Sequence, residues 1–173
     1  MKVICFGDSN TWGYDPCAKF GESYDRRWTD ILFDLTGWTV INEGVNGREV
    51  PDAPACVPPD ADLFLIMLGT NDLLQLDTPE AAARRMQHFL SGCSPQNTVL
   101  IAPPPMKWGE WVQDQELIDD SVRLIQLYLS LGQQMNFRVL DTSGWNIPLS
   151  FDGVHFTEAG QMIFAQKLAD ALR

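Results

Sequence analysis

The sequence predicts an α/β fold, a three-layer α/β/α sandwich built on a parallel sheet. Three observations carry that expectation. Five strand-like runs alternate with helix-like runs along the 173 residues, as in β-α-β units with right-handed crossovers. Leu63 to Leu68 is a continuous apolar run, the pattern of a strand covered on both faces. The strands run out into polar, glycine-containing turns, and in an open α/β sheet that edge is where ligands bind.

The predicted strands are Val3–Phe6, Thr39–Asn42, Leu63–Leu68, Thr98–Ala102 and Arg138–Asp141. Between the first two, Arg26 to Leu35 carries apolar residues at Trp28, Ile31, Leu32 and Leu35, with Gly37 placed to end a helix. Thr78-Pro79-Glu80 opens another helix, with Thr78 as cap and Pro79 in the first turn. Leu117 to Met135 spaces Leu117, Ile118, Val122, Ile125, Leu129 and Gln133 three to four apart, so one stripe should face the core. Thr157 caps the last helix, in which Ile163, Phe164, Leu168 and Leu172 should form the buried face. Residues 51–59 and 103–111 are proline-rich and irregular.

Composition narrows the function. The length fits a single domain over residues 1–173, and 45% hydrophobic residues suffice for a core of that size. A net charge of -11 argues against nucleic acid or an anionic membrane as partner, since both need basic surface; the acidity itself keeps the surface solvated. No apolar run approaches the roughly 20 residues of a membrane span. Met1-Lys2 leads directly into a strand, so no signal peptide is read and a cytoplasmic location is expected. Cys5, Cys17, Cys56 and Cys93 are scattered and fit reduced thiols. Two separated histidines do not make a zinc site, and neither a phosphate loop nor a dinucleotide fingerprint occurs, so no metal or other cofactor is expected. The Gly-x-Ser-x-Gly elbow is also missing from the sequence.

The strand ends hold the chemistry. Strand one ends at Gly7-Asp8-Ser9, strand two at Asn42-Glu43-Gly44-Val45-Asn46-Gly47, and strand three at Gly69-Thr70-Asn71-Asp72. Strand five leads after a loop into Asp152-Gly153-Val154-His155. Ser9 alone admits three roles: nucleophile, helix cap or phosphate contact. Acyl transfer needs a nucleophilic hydroxyl, a base, a group orienting the base, and donors for the developing oxyanion. Ser9 can supply the first and His155 the second, with Asp152 reaching back to its imidazole. Gly47 can donate a backbone N–H, Asn71 its side-chain amide, and Ser9 its own N–H. His88, flanked by Arg84, Arg85 and Gln87 within a helix, fits a surface role. Asp8 fits a structural acceptor that holds the Ser9 turn. Each piece has a plain reading as a turn or cap; their convergence on one sheet edge, in this order, favours catalysis.

These blocks resemble the SGNH, or GDSL-type, hydrolases, named for the Ser, Gly, Asn and His of four blocks. The resemblance rests on Phe6-Gly7-Asp8-Ser9-Asn10-Thr11-Trp12-Gly13, Asn42 to Gly47, Leu68 to Asp72, and Asp152-Gly153-Val154-His155-Phe156-Thr157. It implies a flavodoxin-like five-stranded parallel sheet of order 2-1-3-4-5 and a serine esterase without metal. It makes Ser9 the nucleophile, His155 the base, Asp152 its partner, and Ser9, Gly47 and Asn71 the oxyanion hole; family spacing selects Gly47 over Gly44. Arg27-Trp28-Thr29, Pro103-Pro104-Pro105 and His155-Phe156-Thr157-Glu158 are similar to the arylesterase and acyltransferase branch. Asn10 stands where the name motif has leucine, a position with no chemical role. The chain lacks the long insertions that build a closed, oligomeric channel in some members, so neither efficient acyl transfer in water nor a large oligomer is implied; a smaller homo-oligomer stays open.

The expected reaction is hydrolysis of a short-chain acyl ester, an acetyl or aryl ester, through an acyl-enzyme on Ser9. Trp12, Met106 and Trp108 can wall a small, partly apolar pocket, or they can simply pack their loops. A carbohydrate O-deacetylase would use the same site. A thioesterase or lysophospholipase would want a longer groove. A non-catalytic binding module on this fold would show a broken set of site residues, and here the set is complete.

Overall fold

A computed structural model describes residues 1–19 and 21–173. Its sheet has five strands, all parallel, in the order β2-β1-β3-β4-β5. The strands are β1 (Lys2–Gly7), β2 (Thr39–Gly44), β3 (Leu63–Met67), β4 (Thr98–Ile101) and β5 (Arg138–Leu140). The expected strand ends lie within two residues of the observed ones.

The period-two alternation of each strand divides the core into two layers. Val3, Cys5, Leu65, Met67, Val99 and Ile101 face one layer, where Trp28, Leu32, Phe164 and Leu168 cover them. Ile4, Phe64, Ile66 and Leu100 face the other, against Met86, Phe89, Leu124 and Tyr128. The covering helices are α2 (Trp28–Thr36) and α6 (Glu158–Leu172) on the first side, and α4 (Pro79–Leu90) and α5 (Gln115–Met135) on the second. Two short helices, α1 (Ser9–Trp12) and α3 (Thr70–Leu74), begin directly after β1 and β3. The passage from β2 to β3 is irregular, so strict β-α alternation breaks there.

The punctuation behaves as its chemistry dictates. Thr78 Oγ1 accepts the Ala81 N–H at the start of α4, with Pro79 following. Gly37 ends α2 in the left-handed region, its N–H donated to Phe33.

Three helical faces differ from the expected stripes. On α5, Val122 and Gln133 are exposed, while Ser121, Leu124, Ile125, Tyr128, Leu131 and Gly132 are buried. Ser121 is drawn inside because its hydroxyl accepts the Met106 N–H at 3.0 Å. On α6, Ile163 is exposed and Leu172 half-buried; Gly160, Gln161, Phe164, Ala165, Leu168 and Ala169 form the buried face. Gly160 lets the start of α6 sit close to the preceding loop, since a Cβ there would lie 2.4 Å from the Pro148 carbonyl. Leu35 of α2 is also exposed, and Thr29 is buried in its stead. Thr29 Oγ1 accepts from Asn42 Nδ2 at 2.9 Å, tying α2 to β2.

Candidate active site

The site is assembled at the carboxyl edge of β1, β2 and β3. The chain leaves β1 at Gly7, and Asp8 caps α1 by accepting the Asn10 N–H at 3.0 Å. This places Ser9 at the first position of α1, nearly buried, with its side chain turned to the loop that precedes α6. Ser9 Oγ lies 2.9 Å from His155 Nε2. His155 Nδ1 lies 2.6 Å from Asp152 Oδ2. The other carboxylate oxygen, Asp152 Oδ1, accepts the backbone N–H groups of Val154 and His155, both at 2.9 Å. Burial pushes the Asp152 carboxyl up, but the hydrogen bonds from the His155 ring and the two backbone N–H groups outweigh it and hold the group below its ordinary value. An acceptor-only carboxylate on Nδ1 leaves Nε2 unprotonated and facing the Ser9 hydroxyl.

Three donors can face an anion beside Ser9. The backbone N–H groups of Ser9 and Gly47 have no protein acceptor among the described residues. Gly47 sits at φ +74°, a left-handed turn conformation that suits glycine. The rival Gly44 is spoken for: its N–H donates to Asn42 Oδ1 at 2.8 Å. Asn71 Nδ2 donates one hydrogen to the Arg48 carbonyl at 3.1 Å, which fixes the amide and leaves its second hydrogen available. Asp72, fully buried, accepts the Val50 N–H and pairs with Arg85, so the turn bearing Gly47 is tied to the helix bearing Asn71. Before Asn71, Gly69 adopts φ +123°, where a Cβ would lie 2.6 Å from Leu124 and 2.7 Å from the Tyr128 hydroxyl.

These groups open onto a cleft of about 200 Å³ lined by Ser9, Tyr14, Asn46, Gly47, Asn71, Trp111 and His155. The sequence-derived set of Ser9, Gly47, Asn71, Asp152 and His155 is therefore brought together, with Asp152 behind the imidazole. The three aromatic and apolar residues expected to wall the pocket are not part of its lining. Met106 is buried in the layer under α5, Trp108 is 61% exposed, and Trp12 packs its backbone against Gly44. Tyr14 and Trp111 wall the cleft instead, with ring centroids 4.6 Å and 5.1 Å from the His155 ring. Trp111 gets there because its loop is laced to the acid loop: Lys107, Glu110 and Trp111 donate backbone N–H groups to the Gly153, Phe151 and Asp152 carbonyls. The aromatic content of that loop was the available signal; periodicity cannot order the tryptophans of an irregular segment.

His88 is exposed on α4, 3.4 Å from Asp52, away from the cleft. Glu49, Asp72 and Asp77 bring carboxylate oxygens together, as metal ligands would, but the Arg85 guanidinium pairs with all three and supplies the positive charge. No helix among the described residues is long and apolar enough to cross a membrane.

A 2-1-3-4-5 parallel sheet, with serine, glycine, asparagine and histidine blocks meeting at its carboxyl edge, defines the SGNH class of α/β hydrolases. The chain belongs to the GDSL-like Lipase/Acylhydrolase family, whose model matches residues 5–163, and is thus a carboxylic-ester hydrolase. Its fold is similar to that of the native aryl esterase of M. smegmatis: TM-score 0.80, 26% identity, covering 99% of this chain and 98% of that one. A carbohydrate acetylesterase family member from Sinorhizobium meliloti aligns at TM-score 0.83 and 21% identity over 99% and 97% of the two chains. The lipase/acylhydrolase from Enterococcus faecalis gives 0.78 and 22% over 99% and 94%. Among curated proteins, none matches the chain.

Proposed function

We propose that the protein hydrolyses short-chain acyl esters, acetyl or aryl esters, through an acyl-enzyme on Ser9. The observation that carries the reading is the continuous contact from Ser9 Oγ through both nitrogens of His155 to Asp152, opening on a small cleft with three unengaged donors. His155 Nε2 takes the hydroxyl proton as Ser9 Oγ bonds to the ester carbonyl carbon. The carbonyl electron pair moves onto oxygen, which the Ser9 and Gly47 N–H groups and Asn71 Nδ2 receive. When that pair returns, the bond to the alcohol breaks and His155 gives the departing oxygen its proton. Water then attacks the acyl-enzyme by the same route, and Ser9 is restored. Asp152 keeps the imidazole in the required tautomer and balances the imidazolium in a site screened from water.

A cleft of about 200 Å³ supports a short acyl group. The similarity to an aryl esterase agrees with a simple alcohol or phenol as leaving group. The test is hydrolysis of p-nitrophenyl esters from acetyl to decanoyl, with Ser9→Ala beside the wild type. Cleavage confined to short chains and abolished in the variant is the expected result; equal rates for both proteins on every chain length would overturn it.

A further inference from the structure

Asn10 is the residue that sequence reading leaves without a chemical role. It follows the nucleophile, is 5% exposed, and directs its side chain across 146 residues of sequence to the loop carrying the base. Asn10 Oδ1 accepts the Phe156 N–H at 2.9 Å, and Asn10 Nδ2 donates to the Val154 carbonyl at 3.1 Å. The two backbone groups flank His155 on either side. One amide thus pairs with both, as a neighbouring strand would, and only one orientation of its oxygen and nitrogen satisfies them. The remaining polar groups of this stretch are also engaged: Ser150 N–H on the His155 carbonyl, Asp152 on the Val154 and His155 N–H groups, and Tyr24 Oη on the Phe156 carbonyl. Asn10 itself is anchored by Trp28, whose indole N–H donates to the Asn10 carbonyl at 2.9 Å. Of these partners, Asn10 is the one that belongs to the nucleophile's own helical turn.

We propose that Asn10 is a positioning residue that sets the distance between Ser9 and His155 by clamping the base loop to the nucleophile turn. The proposal rests on the reading of Ser9 as nucleophile and His155 as base. A leucine of similar size can fill the space but offers neither donor nor acceptor. Among the described residues, the one direct hydrogen bond left between the loop and the turn would be the Ser9–His155 contact that it should be supporting. Displacement of reacting groups by about 1 Å can cost on the order of 100-fold in rate.

The experiment compares wild type with Asn10→Leu, with kcat expressed per Ser9 titrated by a fluorophosphonate label. The expected result is a kcat roughly 10- to 100-fold lower at nearly unchanged KM. In a His155→Ala background, the same substitution should lower the residual rate no further, because the clamp acts through the imidazole. Asn10→Asp keeps the acceptor for Phe156 and serves if the leucine variant does not fold. It should lose rate as well and move the acidic limb of the pH–rate profile to higher pH, since a carboxylate beside His155 favours the imidazolium. A readout without substrate separates this proposal from the esterase reading. The His155 Nδ1 proton, held 2.6 Å from Asp152 Oδ2 and so expected as a sharp downfield NMR signal in the wild type, should broaden in the leucine and aspartate variants as the loop loosens and water exchanges it. Full kcat per titrated site, an additive loss in the His155→Ala background, or an unchanged Nδ1 signal would overturn the proposal. Broadening in the variants, beside a wild type that cleaves no ester, would support the clamp while sinking the esterase reading.

Discussion

Asn71 is the residue whose contribution can be stated most sharply. Its amide is held by the Arg48 carbonyl and lines the cleft, so truncation removes one proposed anion donor without opening the core. Asn71→Ala should lower kcat by roughly 10²–10³ with little change in KM; steady-state kinetics on p-nitrophenyl acetate check this, and an unaffected kcat would remove Asn71 from the reaction. Asp152→Asn should cost up to about 10⁴ in kcat. The asparagine oxygen can keep the two backbone N–H groups, so the fold should persist, but an amide no longer enforces the tautomer that leaves Nε2 free. Circular dichroism beside the kinetics separates the two effects, and normal activity would reduce Asp152 to a loop brace. The two tryptophans of the 103–111 loop should divide: Trp111→Ala should change the preference across acyl lengths, and Trp108→Ala should leave it as it is. Trp111 borders the cleft beside the imidazole; Trp108 faces solvent.

At the scale of elements, the site depends on how abruptly β1 and β3 turn into α1 and α3. Gly69 makes the second of these turns at φ +123°. Gly69→Ala would place a methyl group against Leu124 and the Tyr128 hydroxyl in a backbone conformation that L-residues avoid. It should destabilise the protein by roughly 2–4 kcal/mol and reduce activity by displacing Asn71; denaturant unfolding measures the first effect. The strands were legible in the sequence to within two residues because each is a short apolar run stopped by a polar turn. The helical faces were less so. Val122 and Ile163 carry the right chemistry for a core and yet face water, because burial is settled by where α5 and α6 meet the sheet and their neighbours. Ser121 and Gln161 are buried for a reason no hydropathy pattern contains: Ser121 accepts the Met106 N–H, and Gln161 Oε1 accepts the Trp28 N–H.

For the whole molecule, the acid groups beneath the site should imprint themselves on stability. Burial raises the Asp8 carboxyl from 3.8 to about 6, against the pull of the Asn10 N–H and His155. Between those two values the native state binds more protons at Asp8 than the unfolded chain does. The Asp8 contribution to stability is therefore full below about 3.8 and lost as pH rises through about 6. Asp8→Asn keeps an acceptor for the Asn10 N–H and removes the buried charge. It should raise stability at pH 8 by roughly 3 kcal/mol and change it little at pH 4. Asp152 works in the opposite sense. Held below its ordinary value of 3.8, it contributes stability above that value and loses it as pH falls through the folded one. Comparing unfolding of wild type and Asp8→Asn across pH isolates the first effect; a difference independent of pH would refute it.

The sequence by itself determined the layered α/β architecture, the chain order of the site blocks, and the identity of the groups at the strand ends. Strand hydrophobicity and turn chemistry are local, and a parallel sheet delivers every carboxyl end to one edge. The tertiary structure alone decided which of the surrounding residues matter. It placed Trp111 rather than Trp108 at the imidazole through three backbone hydrogen bonds between two irregular loops. It engaged the N–H of Gly44 and left that of Gly47 unengaged. It turned Asn10 from a silent neighbour of Ser9 into the link to Val154 and Phe156. These outcomes rest on contacts between segments far apart in the chain, whose geometry follows from packing and from the satisfaction of buried polar groups; no local pattern encodes them.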